Sequence, residues 1–168
     1  MPCQSGTGMW PSFWQYASQN PASDANGEID TMELMDNTSA QSAATIGSPS
    51  PNPGAGQYVS QSIHGQGLSP PYDLATSTVY NRYPEPASRS WCGAFHVFGN
   101  TWTSTSVTFT VDGVTKQKFN RSQFPAWPLV TAQAPVLSLL VGQYGGTPNP
   151  TTFPQTMLVD WVRIWHSG

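Results

Sequence analysis

Proline and glycine interrupt nearly every long window of this sequence, so no stretch keeps the helical spacing of apolar residues. The 16 prolines and 15 glycines leave room only for short elements between turns. Alternating apolar and polar residues recur instead, which is typical of strands with one buried face. The sequence therefore predicts an all-β protein, and residues 1–168 are predicted to form a single domain.

The clearest strand signal is a strict alternation over 107–111, which places two valines and a phenylalanine on one face. An Asp112-Gly113 pair follows directly and predicts a hairpin, with a return strand over 114–119. The other predicted strands cover 28–35, 58–64, 135–141 and 157–165. The strand over 135–141 is expected to be buried, because it is almost continuously apolar. Several short strands joined by turns favour an antiparallel β-sandwich or jelly roll.

The composition excludes some partners and favours others. Only six lysines and arginines are present, and they are scattered, so no basic surface is available for nucleic acid. The longest apolar run is too short to span a bilayer, so no membrane partner is expected. Aromatic residues make up 12% of the chain and charged residues 9%, which suits a neutral, hydroxylated ligand. Any single tryptophan could equally belong to the core.

Three of the nine acidic residues lie within six positions, at Glu28, Asp30 and Glu33. On a regular strand Glu28 and Asp30 share a face, because side chains alternate, whereas Glu33 would point to the other face. One extra residue in a β-bulge around Thr31 and Met32 would return Glu33 to the side of the other two acids. The spacing therefore predicts a bulged strand with three carboxylates along one cleft.

Crowded carboxylates raise the pKa of one of their number, which keeps it protonated near neutral pH. A protonated acid beside an ionised carboxylate is what cleavage of a glycosidic bond requires. With the outer pair about 5–5.5 Å apart, the arrangement would suit a retaining double displacement. A solvated acidic strand or a calcium-binding cluster would give the same spacing, so the carboxylates alone leave three interpretations open.

Five segments, in order along the chain, resemble the motifs of glycoside hydrolase family 16. They are GMWPSFW at 8–14, GEIDTME at 27–33, SIHG at 62–65, FHVFGNTW at 95–102 followed by VDG at 111–113, and FPQTMLVDWVRIW at 153–165. The second segment is similar to the E-x-D-x-x-E signature of the bulged laminarinase, agarase and carrageenase branches, rather than to the unbulged branches. Position 138 departs from the family, because it holds Ser138 where asparagine is more frequent.

The resemblance implies a β-jelly roll with an open cleft and retaining endo-hydrolysis of a β-linked polysaccharide. It implies that Glu28 is the nucleophile, Asp30 the assisting residue and Glu33 the acid/base, with no cofactor required for catalysis. The SIHG segment and the lack of a basic cleft favour a neutral β-1,3-glucan over a sulfated galactan. Residues 39–56 and 69–90 are expected to be loops that decide between this glucan and another β-glycan.

Further residues are assigned by the same resemblance. Trp10 and Trp14 resemble cleft aromatics that stack on sugars, and His64 is expected to bind substrate hydroxyls, with a core or structural role as the alternative for each. His96 is expected to be structural. Asp160 resembles a position that helps to bind a structural Ca²⁺ ion, and capping of a strand end is the alternative.

The front of the chain departs from the family, whose members carry a β-rich segment before the position of Trp10. The resemblance therefore implies an incomplete N-terminus, with the signal peptide of a secreted, monomeric enzyme lost together with that segment. Cys3 and Cys92 could form a disulfide, but two distant cysteines say little about their pairing. A non-catalytic glycan-binding module and an inactive fragment are the remaining alternatives. Retention of all three acids favours the enzyme over the binding module.

Overall fold

A computed structural model describes residues 8–17, 27–35, 58–65, 78–84, 94–124, 126–127 and 129–166. Two antiparallel sheets make up most of this part of the chain, which confirms the predicted all-β sandwich. The strands are β1 (Met9–Ala17), β2 (Glu28–Met35), β3 (Tyr58–His64), β4 (Thr78–Pro84), β5 (Phe98–Trp102), β6 (Ser106–Val111), β7 (Val114–Asn120) and β8 (Gln133–Val141). No helix in the described ranges is long and apolar enough to cross a membrane.

The larger sheet has five strands in the order β4-β3-β2-β1-β8, and the smaller has three in the order β5-β6-β7. Strand β2, which carries the three acids, lies at the centre of the larger sheet between β1 and β3. A central strand is held by backbone hydrogen bonds on both sides, so its side chains are placed more firmly than those of an edge strand. The acids therefore project from the best-supported strand of the sheet.

The core lies between the two sheets. Ile29 and Ile63 of the larger sheet pack in one cluster with Phe109 and Phe119 of the smaller sheet, and all four are fully buried. A second cluster holds Leu34 and other side chains of the larger sheet against the smaller one. Because side chains alternate along a strand, burying one face of the larger sheet leaves its other face open for a site.

Most predicted strands are confirmed. The strands over 28–35 and 58–64 have the expected bounds, and the hairpin at Asp112-Gly113 joins β6 to β7. The strands β1, β4 and β5 were not predicted, and β4 lies inside the range 69–90 that was expected to be a loop. The range 39–56 and both cysteines lie outside the described residues.

Two predictions about the end of the chain are wrong. Residues 157–165 form no strand, because their alternating apolar residues have no ladder partner within the described ranges. Strand β8 exists, but it is not buried: Leu137, Leu140 and Val141 are 45%, 46% and 53% exposed. Among the strands described, only β1 flanks β8, so this apolar strand lies at a sheet edge.

The difference between the packed hairpin and the exposed C-terminal segment can be measured. Phe119→Ala empties a fully buried position between Phe109 and Phe124, and is expected to lower the free energy of unfolding by about 3–5 kcal/mol. Trp165→Ser is expected to change it by less than about 0.5 kcal/mol, because the side chain is 78% exposed. Urea denaturation of both variants tests this, and a large loss in Trp165→Ser would contradict the described exposure.

Candidate active site

The predicted bulge in β2 is present and brings the three acids to one face. Against β1, Glu28 lies opposite Tyr16, Asp30 opposite Trp14 and Glu33 opposite Ser12. Against β3, the register shifts by one residue between Asp30 and Glu33. The extra residue restores the side-chain alternation, so Glu33 faces the same side as the other two carboxylates instead of the core.

Asp30 has two bonding partners on β3. Its Oδ2 accepts a hydrogen bond from the Ser62 hydroxyl at 2.7 Å and lies 2.5 Å from His64 Nε2. Ser62 and His64 are the register partners of Asp30 and Glu28 on β3, so all four side chains lie on the cleft face. Only 2% of Asp30 is exposed, whereas the His64 side chain is 31% exposed. The contact is therefore an ion pair at the edge of solvent whenever His64 is protonated.

The two partners shift each other's pKa. Burial alone raises the pKa of Asp30, but the positive charge of His64 and the hydrogen bonds that join Asp30 to His64, Ser62 and Glu28 outweigh it and hold the pKa below its usual 3.8. Burial alone lowers the pKa of His64, but the negative charges of Asp30, Glu28 and Glu33 and the bond to Asp30 raise it to about 9. At neutral pH the pair is therefore a carboxylate with an imidazolium.

The pKa of Glu33 is shifted in the opposite direction to that of Asp30. It is only 7% exposed, and its Oε1 accepts a hydrogen bond from the Trp10 indole nitrogen at 3.0 Å. Burial first, and then the negative charge of Asp30, raise the pKa of Glu33 well above its usual 4.5, against the smaller effects of His64 and Trp10. One strand thus carries an acid whose pKa is lowered and an acid whose pKa is raised, and their partners on β3, Ser62 and Ser60, are two residues apart.

Two indoles close over the floor of the cleft beside Glu33. Ser12 of β1 pairs with Glu33 on β2 and with Ser138 on β8. Trp10 and Trp14 lie two residues before and after Ser12 on the same strand face. Trp10 donates to Glu33, and Trp14 Nε1 donates to Ser138 Oγ at 3.2 Å. Ser12, between them on β1, is 3% exposed. Both indoles stay partly exposed, as a sugar-stacking surface requires.

Comparison with known proteins adds the family. The profile described as "Glycosyl hydrolases family 16" matches residues 1–163, which is almost the whole chain. The chain belongs to glycoside hydrolase family 16. Glucan endo-1,3-beta-glucosidase A1 of Niallia circulans is 28% identical to this family 16 chain over 174 residues, a match that covers 96% of the chain and 22% of that protein.

Solved structures of similar proteins have the same fold. The endo-β-1,3-glucanase of Pyrococcus furiosus superposes with a TM-score of 0.64 and 24% identity, covering 90% of this chain and 52% of that one. SCLam, a non-specific endo-β-1,3(4)-glucanase from family 16, gives a TM-score of 0.64 and 25% identity over 92% of this chain and 50% of its own. This family 16 chain therefore spans about half the length of both structures.

The structure brings most of the predicted family 16 site together. Glu28, Asp30, Glu33 and the two tryptophans share the cleft face with His64. The His64 Nε2 atom, expected to bind substrate, is in contact with Asp30 instead, and its role toward substrate stays a prediction. His96 lies away from the acids, where its Nδ1 pairs with Asp112 at 2.8 Å.

Asp160 does not join the site. It lies in the exposed segment 157–166, apart from the acids of β2. Within the described ranges, the one group of three or more histidine, cysteine or acidic side chains close enough to share a metal ion is Glu28, Asp30 and His64. Asp160 is not a member of that group, and a Ca²⁺ site needs six to eight oxygen ligands. Calcium binding there remains an untested prediction.

Three residues that contact the candidate site were not predicted from the sequence as site residues. Ser62 binds Asp30, Ser138 binds Trp14, and the edge of Tyr16 packs against Trp14 with ring centroids 6.0 Å apart. Ser62 lies two residues before His64, and Tyr16 two residues after Trp14, so the period of a strand was a usable signal for both. Ser138 stood out only as a departure from the family, because its pairing with β1 is non-local.

The His64–Asp30 pair predicts how stability depends on pH. The pKa of His64 rises from 6.5 to about 9 on folding, so its contribution is complete below pH 6.5 and is lost as the pH rises through 9. The free energy of unfolding should fall across this window with a slope of up to about 1.4 kcal/mol per pH unit, the limit for one proton. Urea denaturation at a series of pH values measures it.

His64→Gln should remove the part of this slope that belongs to the pair. His166→Gln is the matched control, because His166 is an exposed histidine of the C-terminal segment. The interpretation is wrong if both variants keep the slope of the parent protein, since the pH dependence would then come from other groups.

Proposed function

We propose that this chain carries the active site of a retaining endo-β-glucanase that cleaves β-1,3-glucosidic bonds of laminarin-type glucans. The observation that carries the proposal is the placement of three acids on one face of β2, where the pKa of Asp30 is lowered and the pKa of Glu33 is raised. Two carboxyl groups in opposite protonation states are what glycoside hydrolysis needs. Membership of family 16 gives the same reaction class.

In the first step, Glu28 would attack the anomeric carbon as the glycosidic C–O bond breaks. Glu33 would donate its proton to the departing oxygen, so that the leaving group departs as a neutral alcohol. The raised pKa of Glu33 keeps that proton in place above the pH at which a solvated glutamic acid loses it. The Trp10 indole bonds to Oε1 of Glu33, which leaves Oε2 to carry the proton toward substrate.

In the second step, the ionised Glu33 would take a proton from water, and the water oxygen would displace Glu28 from the sugar. Asp30 remains ionised throughout, because His64 and Ser62 hold its Oδ2. Its fixed negative charge opposes ionisation of Glu33 and stabilises the positive charge that develops on the sugar ring. Carboxyl groups supply every proton transfer, so we propose that no cofactor takes part.

The substrate class rests on the cleft and on the relatives. Partly exposed indoles and hydroxyl groups line the cleft face, and this surface suits a neutral glucan chain. The Niallia circulans relative is named a glucan endo-1,3-beta-glucosidase, and the Pyrococcus furiosus structure an endo-β-1,3-glucanase. SCLam is a non-specific β-1,3(4)-glucanase, so mixed-linkage glucan is the second substrate to test. A polymeric substrate is met outside the cell, so we also propose secretion.

Two matched variants test the roles of the glutamates. Glu28→Gln should abolish release of reducing ends from laminarin, because the nucleophile is lost. Glu33→Gln should lower kcat/KM on laminarin by about 10²–10⁴-fold, the usual contribution of a general acid. On dinitrophenyl β-laminaribioside, kcat/KM of Glu33→Gln should fall little, because it reports the first step and dinitrophenolate leaves without a proton. Parallel assays on laminarin, lichenan and agarose decide the linkage.

Two controls make the result decisive. Proton NMR of the first product formed should show the β-anomer, whereas initial release of the α-anomer would contradict the retaining mechanism. If the parent protein folds cooperatively but turns over neither laminarin nor the dinitrophenyl glycoside, the enzymatic proposal fails. Binding of laminarin oligosaccharides without turnover would then identify a glycan-binding module.

A further inference from the structure

The bulge that places Glu33 lies opposite a single side chain of β3. In the pairing of β2 with β3, Asp30 faces Ser62 and Glu33 faces Ser60. Two residues, Thr31 and Met32, therefore lie opposite the one residue between those serines, which is Gln61. A bulge removes backbone groups from the ladder, and those groups need partners elsewhere if they are buried.

Amide side chains supply these partners. Gln61 Nε2 donates to the Thr31 carbonyl oxygen at 2.9 Å, and Asn100 Nδ2 donates to the Thr31 hydroxyl at 2.6 Å. Thr31 and Gln61 are both fully buried, so water does not compete for these bonds. The Thr31 carbonyl is thus held from the neighbouring strand β3, and the Thr31 hydroxyl is held from β5 of the smaller sheet.

The same Gln61 amide also fixes the bulge to the opposite sheet. Its Nε2 donates a second hydrogen bond to the Thr110 carbonyl oxygen of β6 at 3.2 Å. The pairing of β6 with β7 also shifts register between Phe109 and Thr110. One amide therefore joins two irregular positions across the core. The position of the bulge in β2 thus depends on the three-stranded sheet as well as on β3.

We propose that Gln61 is a positioning residue for Glu33, acting through the Thr31 peptide at the bulge. The inference rests on the proposed function of Glu33 as acid/base. Gln61 extends to the core face of β3, away from the cleft, and its action is confined to the backbone conformation between Asp30 and Glu33. Without its amide, the bulge loses a buried bond and the Glu33 carboxyl moves relative to Glu28. Proton donation then suffers more than binding.

The test compares two leaving groups in Gln61→Leu, which keeps the bulk of the side chain and removes its donors. We expect kcat/KM on laminarin to fall by about 10²-fold, since a misplaced catalytic group costs about that much. The loss on dinitrophenyl β-laminaribioside should be far smaller, as in Glu33→Gln, because this substrate needs no proton. A variant that merely weakens the fold would lose both activities in the same proportion.

Val107→Ala is the matched control, because Val107 is a fully buried core residue of β6 with no bond to the bulge. It should be destabilised and keep the parent ratio between the two substrates. If Gln61→Leu does not fold, Asn100→Ala carries the test, since it frees the other held oxygen of Thr31 and should show the same selective loss in smaller measure.

The outcomes separate the inference from the function on which it rests. A folded Gln61→Leu variant with the parent ratio of the two activities overturns the positioning role, even when Glu33→Gln shows its expected selectivity. The parent ratio in Asn100→Ala, with Gln61→Leu unfolded, overturns it as well. A parent protein that is inactive on both substrates removes the proposed function itself, and the positioning role with it.

Discussion

The contact between His64 and Asp30 reduces the free-energy cost of holding three carboxyl groups on one face of β2. Three carboxyl side chains on one strand face repel one another, and two of them are almost fully buried. The imidazolium of His64 neutralises one charge at 2.5 Å and allows Asp30 to stay ionised without solvent. The pKa of Glu33 is raised, first by burial and then by the negative charge of Asp30.

The two sheets have different tasks in this arrangement. The larger sheet presents its open face as the cleft, with acids at the centre and indoles toward β8. The smaller sheet contributes no side chain to that face among the described residues, yet it packs against β2 and Asn100 of β5 bonds to the Thr31 hydroxyl at the bulge. The conformation of β2 at the bulge is therefore supported from the core as well as from the neighbouring strands.

The sequence was informative where the signal is local. Alternation predicted β2, β3 and the β6–β7 hairpin, and the spacing of Glu28, Asp30 and Glu33 predicted the bulge before any coordinates. It failed where the outcome depends on a distant neighbour. The apolar run of β8 looked buried but lies at a sheet edge, and the segment 157–165 has strand propensity without a described partner. The bond from Trp14 to Ser138 joins residues 124 positions apart, which no local pattern encodes.

The bulge also bears on how such a site can change during evolution. Most insertions or deletions in a strand turn every later side chain to the wrong face. Loss of Thr31 would instead convert E-x-D-x-x-E into E-x-D-x-E, in which the third acid still faces the cleft and Leu34 still faces the core. A deletion of this one residue therefore leaves every later side chain of β2 on its original face of the sheet. The deletion would leave the side-chain amides of Gln61 and Asn100 without their partner Thr31. The residue types at positions 61 and 100 should therefore differ between bulged and unbulged sequences.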